Sequence, residues 1–201
     1  MNLSDFFKRT NTVQDACCVT VSADGFSFTD NNIVSISARA PGKDPVTVYV
    51  KGATIGEKTT AFTGLTPSYY ASKCVELRAA VETIAEHVQS DVLVTNTVNS
   101  YTQRWLSMVV PELFGPDKHT WFDVLPYIRF VDEGNPFPVE AADIKSVCDL
   151  INGHKPVTMK EAIARCIPHR SVDDPINNLP VNEQRIHQIS SLWDYCLHKE
   201  L

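Results

Sequence analysis

The apolar residues of this chain change period once along its length, and that change limits the folds open to it. Up to about residue 50 they come in short runs divided by turn signals. Residues 16–21 read as a buried strand, and Asp24-Gly25 follows as a turn. Asp30-Asn31-Asn32 marks a second turn before a strand over residues 33–38. Pro41-Gly42-Lys43-Asp44-Pro45 leads into a third strand, Val46-Thr47-Val48-Tyr49-Val50, rich in β-branched residues. Short turns between three strands predict an antiparallel meander.

From residue 66 the spacing becomes three and four. Cys74, Leu77, Val81, Ile84 and Val88 form one helical face, entered at Thr66-Pro67 and ended by Ser90-Asp91. Val92-Leu93-Val94 is a short buried strand. Tyr101, Trp105, Met108 and Val109 predict a helix stopped by Pro111, and the apolar stretch 121–130 a short helix interrupted by Pro126. Ile144, Val147, Cys148 and Ile151 give another face, with Gly153 expected in the left-handed position after it. Thr158-x-x-Glu161 is a capping box that opens a helix to about Cys166, closed by Pro168. A last helix covers roughly residues 183–197, with Ile186, Ile189, Trp193 and Cys196 on one side. Three strands, helix, strand, helix and then mostly helices predict an α/β protein: a mixed sheet with a three-strand meander, flanked by helices.

At 201 residues the chain is expected to form one domain over 1–201, with residues 1–15 a loose polar segment. Acidic residues outnumber basic ones, 24 to 18, which argues against tight sequence-independent binding of duplex DNA. That balance leaves room for a nuclease whose metal ions supply positive charge locally. Six cysteines without a Cys-x-x-Cys pair argue against structural zinc and read as small buried hydrophobes. No apolar run approaches the ~20 residues of a membrane span, and the first residues show no basic region leading into an apolar stretch. A reducing cytoplasm and no membrane are the expectation.

Four stretches, in order, resemble the proofreading-type (DnaQ-like) 3′–5′ exonuclease superfamily, the DEDD exonucleases of ribonuclease H-like fold. Cys18-Val19-Thr20-Val21-Ser22-Ala23-Asp24-Gly25 is similar to a strand ending in Asp-x-Glu-Thr-x-Gly. Thr63-Gly64-Leu65-Thr66 is similar to His-Gly-Ile-Thr. Residues 92–106 resemble a strand followed by Asn-x-x-Phe-Asp-x-x-Phe-Leu, with the motif's Asn falling on Val98. Residues 158–174 resemble the helix and loop that end in His-x-x-x-x-Asp, here His169 to Asp174.

The resemblance implies two Mg²⁺ or Mn²⁺ ions about 4 Å apart, held by four carboxylates, with a histidine as general base. Three of the four carboxylate positions fall on hydroxyl residues, Thr20, Ser22 and Thr102; only Asp174 and the base position, His169, remain. Neutral hydroxyls do not offset the charge of two divalent ions. Asp24 is a candidate replacement ligand, and Asp15, Asp30 and Asp123 are further ones. Each also has a plain structural reading: Asp24 as a turn residue, Asp123 as a helix cap, His169 as a loop histidine, Asp173 as a solvated acid. Pro175 and Asn177-Asn178-Leu179-Pro180 break any helix after Asp174 and tend to leave it in a loop. Tyr69-Tyr70, Tyr101, Trp105, Trp121 and Phe122 could stack bases, but their spacing reads as core.

The first expectation is therefore a catalytically inactive, exonuclease-like pseudoenzyme. It would be a binding module for a protein partner or a nucleic-acid end, compatible with an accessory factor of a virus or mobile element, and would need no cofactor. A protein partner is expected first, with single-stranded nucleic acid a further candidate. Two alternatives stand beside it. One is an active Mg²⁺- or Mn²⁺-dependent 3′–5′ exonuclease with rearranged ligands, using His169, Asp174 and Asp24. The other is an unrelated α/β assembly factor.

Overall fold

Alternation along the first strand sets the layers. The structure, a computed structural model, describes residues 16–25, 27–96, 101–115, 117–135, 143–167 and 174–198. In β1 (Cys17–Ala23), Cys17, Val19 and Val21 point to one side of the sheet, and Cys18, Thr20 and Ser22 to the other. β1 pairs antiparallel with β2 (Ile33–Arg39), which pairs antiparallel with β3 (Val46–Tyr49). On its other edge β1 runs parallel to β4 (Val92–Thr95), and β4 parallel to β5 (Thr120–Asp123). The order is β3-β2-β1-β4-β5, the mixed sheet with a meander that the turn signals predict.

Helices cover both faces. Between β3 and β4 lie α1 (Glu57–Thr63), α2 (Pro67–Lys73) and α3 (Leu77–Ala85). The sequence predicts one helix from Thr66 onward, but the chain breaks between Lys73 and Leu77, where Val75 makes a parallel bridge to Val50. α1, rich in threonine and without an apolar stripe, is not predicted at all. α4 (Thr102–Val109) and the short α5 (Pro111–Phe114) follow β4. The expected helix over 121–130 is in fact β5 followed by α6 (Val124–Asp132), with Pro126 in the first turn, where its missing N–H costs nothing.

α7 (Ile144–Asn152) ends at Gly153 in the right-handed region, φ −74°, so the expected left-handed cap is not used. α8 (Met159–Cys166) precedes a 3₁₀ turn (Pro175–Asn178), and α9 (Val181–His198) closes the described chain. No helix among the described residues is long and apolar enough to cross a membrane. Residues 1–15 and Pro168 lie outside the described residues.

One core joins Cys18, Val92, Val94 and Phe122 to α6, α7, α8 and the Ile186–Cys196 stripe of α9. The second joins Cys17, Val19, Val21 and Leu93 to Ala80 and Ile84 of α3 and to Trp105 and Leu106 of α4. The first core depends on α8 being set at a fixed angle, and its capping box does that. The Glu161 N–H donates to Thr158 Oγ1 (3.2 Å), and the Thr158 N–H donates to Glu161 Oε2 (2.8 Å). Thr158→Ala is expected to lower stability by about 1 kcal/mol, read as a shift in the urea midpoint at unchanged slope.

Candidate functional site

Where β1 and β4 end side by side, the sheet opens a cavity of about 200 Å³. It lies at the carboxyl ends of two parallel strands, the place where open α/β sheets bind ligands. β1 contributes Thr20 and Ser22, the residue after β4 contributes Asn96, and the start of α4 contributes Tyr101 and Thr102. The first turns of α9 supply Asn182 and Arg185, and the end of α1 supplies Thr63.

The floor of this site is a hydroxyl patch. Ser22 pairs with Ser35 and Thr20 with Ser37, so four hydroxyls share the face below α9. Ser37 and Thr47 hydroxyls bond to each other at 2.8 Å, and Asn182 Nδ2 donates to Ser35 Oγ at 2.8 Å. Asn182 is almost fully buried, at 3% exposure, and its Oδ1 has no partner. Thr63 is fixed by donating to the Thr59 carbonyl (2.7 Å) and accepting from the Leu65 N–H (3.1 Å).

The first turn of α9 is tied down from outside the cavity. Tyr49 and Tyr69 hydroxyls both donate to Glu183 Oε1, at 2.6 and 3.0 Å, and Lys73 Nζ donates to the Tyr69 oxygen at 2.8 Å. Charge-assisted bonds of this kind are the stronger ones. They turn Glu183 toward β3 and α2 and leave Arg185 as the charged side chain that lines the cavity among the described residues. Its Nε is buried and without a partner, and it forms no ion pair among the described residues. Burial lowers the Arg185 pKa below the ordinary guanidinium value. Burial likewise raises the Tyr101 phenol.

Three positions singled out in the sequence, Thr20, Ser22 and Thr102, therefore meet around one cavity. The described candidate carboxylates do not line it. Asp24 accepts from the Asn32 N–H (2.8 Å) and the Thr54 N–H (2.6 Å), which pins the β1–β2 turn to the strand exit after β3. Asp174 caps the 3₁₀ turn by accepting from the Ile176 N–H at 2.9 Å. Asp123 caps α6 through the Leu125 N–H, and Asp30 accepts from the Ser27 hydroxyl. His169, Asp173 and Asp15 lie outside the described residues. Trp105, Trp121 and Phe122 are core, as their spacing predicts.

Asn182 and Arg185 were missed by the motif reading. A signal for them exists: the apolar stripe Ile186, Ile189, Trp193 and Cys196, extended one turn back, lands on Asn182 and Arg185. Polar residues at the buried end of such a stripe point to a site.

The same architecture is found in solved exonucleases. Exonuclease I from Methylocaldum szegediense aligns over 89% of this chain and 40% of its own, with a TM-score of 0.55 and 15% identity. The zinc-bound E. coli exonuclease I–ssDNA complex aligns over 91% and 40%, with a TM-score of 0.57 and 13% identity. A product-bound exonuclease I aligns over 90% and 42%, with a TM-score of 0.59 and 10% identity. The chain has the exonuclease, ribonuclease H-like fold. It spans about two fifths of the length of these exonucleases. No protein-family model matches the sequence, and neither does any curated protein.

One of these neighbours holds a metal, and the cavity here can be tested against one. Among the described residues its lining offers hydroxyls, amides, a phenol and one guanidinium, with no carboxylate. Among the described residues no cluster of three or more His, Cys, Asp or Glu side chains stands ready for an ion. Mg²⁺ and Mn²⁺ need anionic oxygen ligands, and a cationic arginine beside them is repulsive. The donor set of the described residues does not fit the metals that this fold family implies.

Proposed function

We propose that this chain is a non-catalytic exonuclease-fold protein that binds the end of a single-stranded nucleic acid without cutting it. The observation that carries the reading is the composition of the cavity: Thr20, Ser22 and Thr102 around Arg185, with no carboxylate among the described residues. Two-metal hydrolysis requires ions that activate water and stabilise the leaving oxygen, and these side chains do not hold them. What remains is a concave site on a fold whose solved neighbours include single-stranded DNA complexes. The net charge of −6 supports local recognition of an end over tracking along a backbone. A protein partner on a second surface is compatible with the same reading.

The test is incubation of end-labelled single-stranded DNA and RNA with the protein at high concentration, in Mn²⁺ and in EDTA, with His169→Ala and Asp174→Ala in parallel. The expected result is retention of label without shortening in either condition. Metal-dependent shortening from the 3′ end, lost in His169→Ala, overturns the proposal and establishes a rearranged active site.

A further inference from the structure

We infer that the cavity at the ends of β1 and β4 is a metal-free phosphate site in which the Arg185 guanidinium binds the anion directly. The inference rests on the non-catalytic reading and names the chemistry of the ligand. Its starting point is an uncompensated charge. Arg185 Nε is buried without a partner, and no carboxylate of the described chain pairs with the group. Glu183, two residues earlier, is engaged by Tyr49 and Tyr69 on the other side. A guanidinium N–H taken out of water without an acceptor loses hydration that nothing repays. A bound oxyanion repays it, and the planar fork of N–H donors matches two phosphate oxygens at once.

The surroundings suit an anion too. Thr20 and Ser22 present hydroxyls from one face of β1, and Thr102 presents a third from α4. Hydroxyls donate to phosphate oxygens without adding charge. Asn182 and Arg185 sit in the opening turns of an 18-residue helix, whose positive end favours negative charge. The volume, about 200 Å³, is below the roughly 300–1,000 Å³ of a site for a drug-sized ligand. It suits a phosphate group with the first atoms attached to it. Taken together, the site is charge-inverted: three of the positions that would hold carboxylates around two cations, Thr20, Ser22 and Thr102, carry hydroxyls around one cation.

The experiment is titration calorimetry in EDTA at fixed ionic strength, with two probes, inorganic phosphate and adenosine 5′-monophosphate. Saturable binding of both, weakened about tenfold or more in Arg185→Gln, is expected. Tighter binding of the nucleotide assigns the phosphate to a nucleic-acid end; equal binding assigns the site to free phosphate. Arg185→Gln also removes a buried Nε–H that has no partner, so its ligand-free melting temperature should equal or exceed that of the parent. Thr20→Val, close in shape, should weaken phosphate severalfold and serves if Arg185→Gln misfolds. Arg39→Gln, which removes a half-buried cation paired with Asp194, should leave binding unchanged. Failure of phosphate to bind at millimolar concentration overturns the inference. So does binding indifferent to Arg185→Gln, or binding that appears only with Mn²⁺. The two readings fail separately: strand shortening in Mn²⁺ refutes the non-catalytic function, whereas an inert protein that ignores phosphate refutes only the anion site.

Discussion

Trp105→Ala should cost about 3–5 kcal/mol, a large part of the roughly 5–15 kcal/mol that holds a domain folded. Trp105 is 1% exposed, on α4, and fills the core between β1 and α4. Its ring lies 4.9 Å from that of Phe28 and 6.2 Å from that of Tyr101. Truncation leaves a void that such a close-packed interior refills only in part. The indole N–H adds a second, opposite contribution, because it is buried without a partner. Trp105→Phe removes that unmet donor while keeping an aromatic ring, so it should cost less than half as much. Urea denaturation of the two variants separates packing from hydrogen bonding; equal losses would show that the N–H is satisfied after all. The damage should also reach the cavity. α4 carries Thr102 three residues before Trp105, so Trp105→Ala should weaken phosphate binding while leaving Arg185 in place.

The strands β1 to β3 were legible because turn residues divide them and because period-two alternation is short and clear. The capping box of α8 was legible because its two partners are three residues apart in sequence. What escaped was decided by contacts distant in sequence. Residues 121–130 are apolar throughout, and a fully buried strand and a buried helix look alike in such a run. Only the parallel pairing of Trp121 and Phe122 with Leu93 and Val94 makes the first part β5. Gly153 was expected left-handed, yet its N–H finds the Asp149 and Leu150 carbonyls without leaving the right-handed region.

Thr20, Ser22 and Thr102, singled out by their motif positions, line the cavity. Arg185 was not singled out, because an arginine near a helix start reads as solvated until the sheet beneath it is known. Asp24 shows the converse. Its motif-adjacent position suggested a ligand, and its two backbone bonds give it a turn to hold.

Alkaline pH should unfold this protein early, and the buried thiols set where. Cys17, Cys18 and Cys148 are at most 2% exposed. Burial pushes the Cys17 and Cys148 thiols up to about 12, and Cys18 in the same direction. In the unfolded chain each ionises near its ordinary value of roughly 8.5–9. The folded pKa is the higher one, so the protonated thiols contribute fully below pH ~9, and that contribution is lost as pH rises from there toward 12. Each thiol then costs about 1.4 kcal/mol per pH unit. At pH 10.5 that is about 2 kcal/mol apiece and about 6 kcal/mol together, of the order of the whole stability. Above pH ~10 the buried phenols of Tyr49 and Tyr127 steepen the fall, since burial raises both.

Urea denaturation at pH 8, 9, 10 and 10.5 in reductant should show that descent. Cys148→Ala should make it shallower by about 1.4 kcal/mol per pH unit, whatever its stability at pH 8. Stability that stays flat to pH 10.5 would show the thiols to be solvated. The same burial bears on function: a thiol held protonated at neutral pH is a poor nucleophile. These three cysteines serve the core.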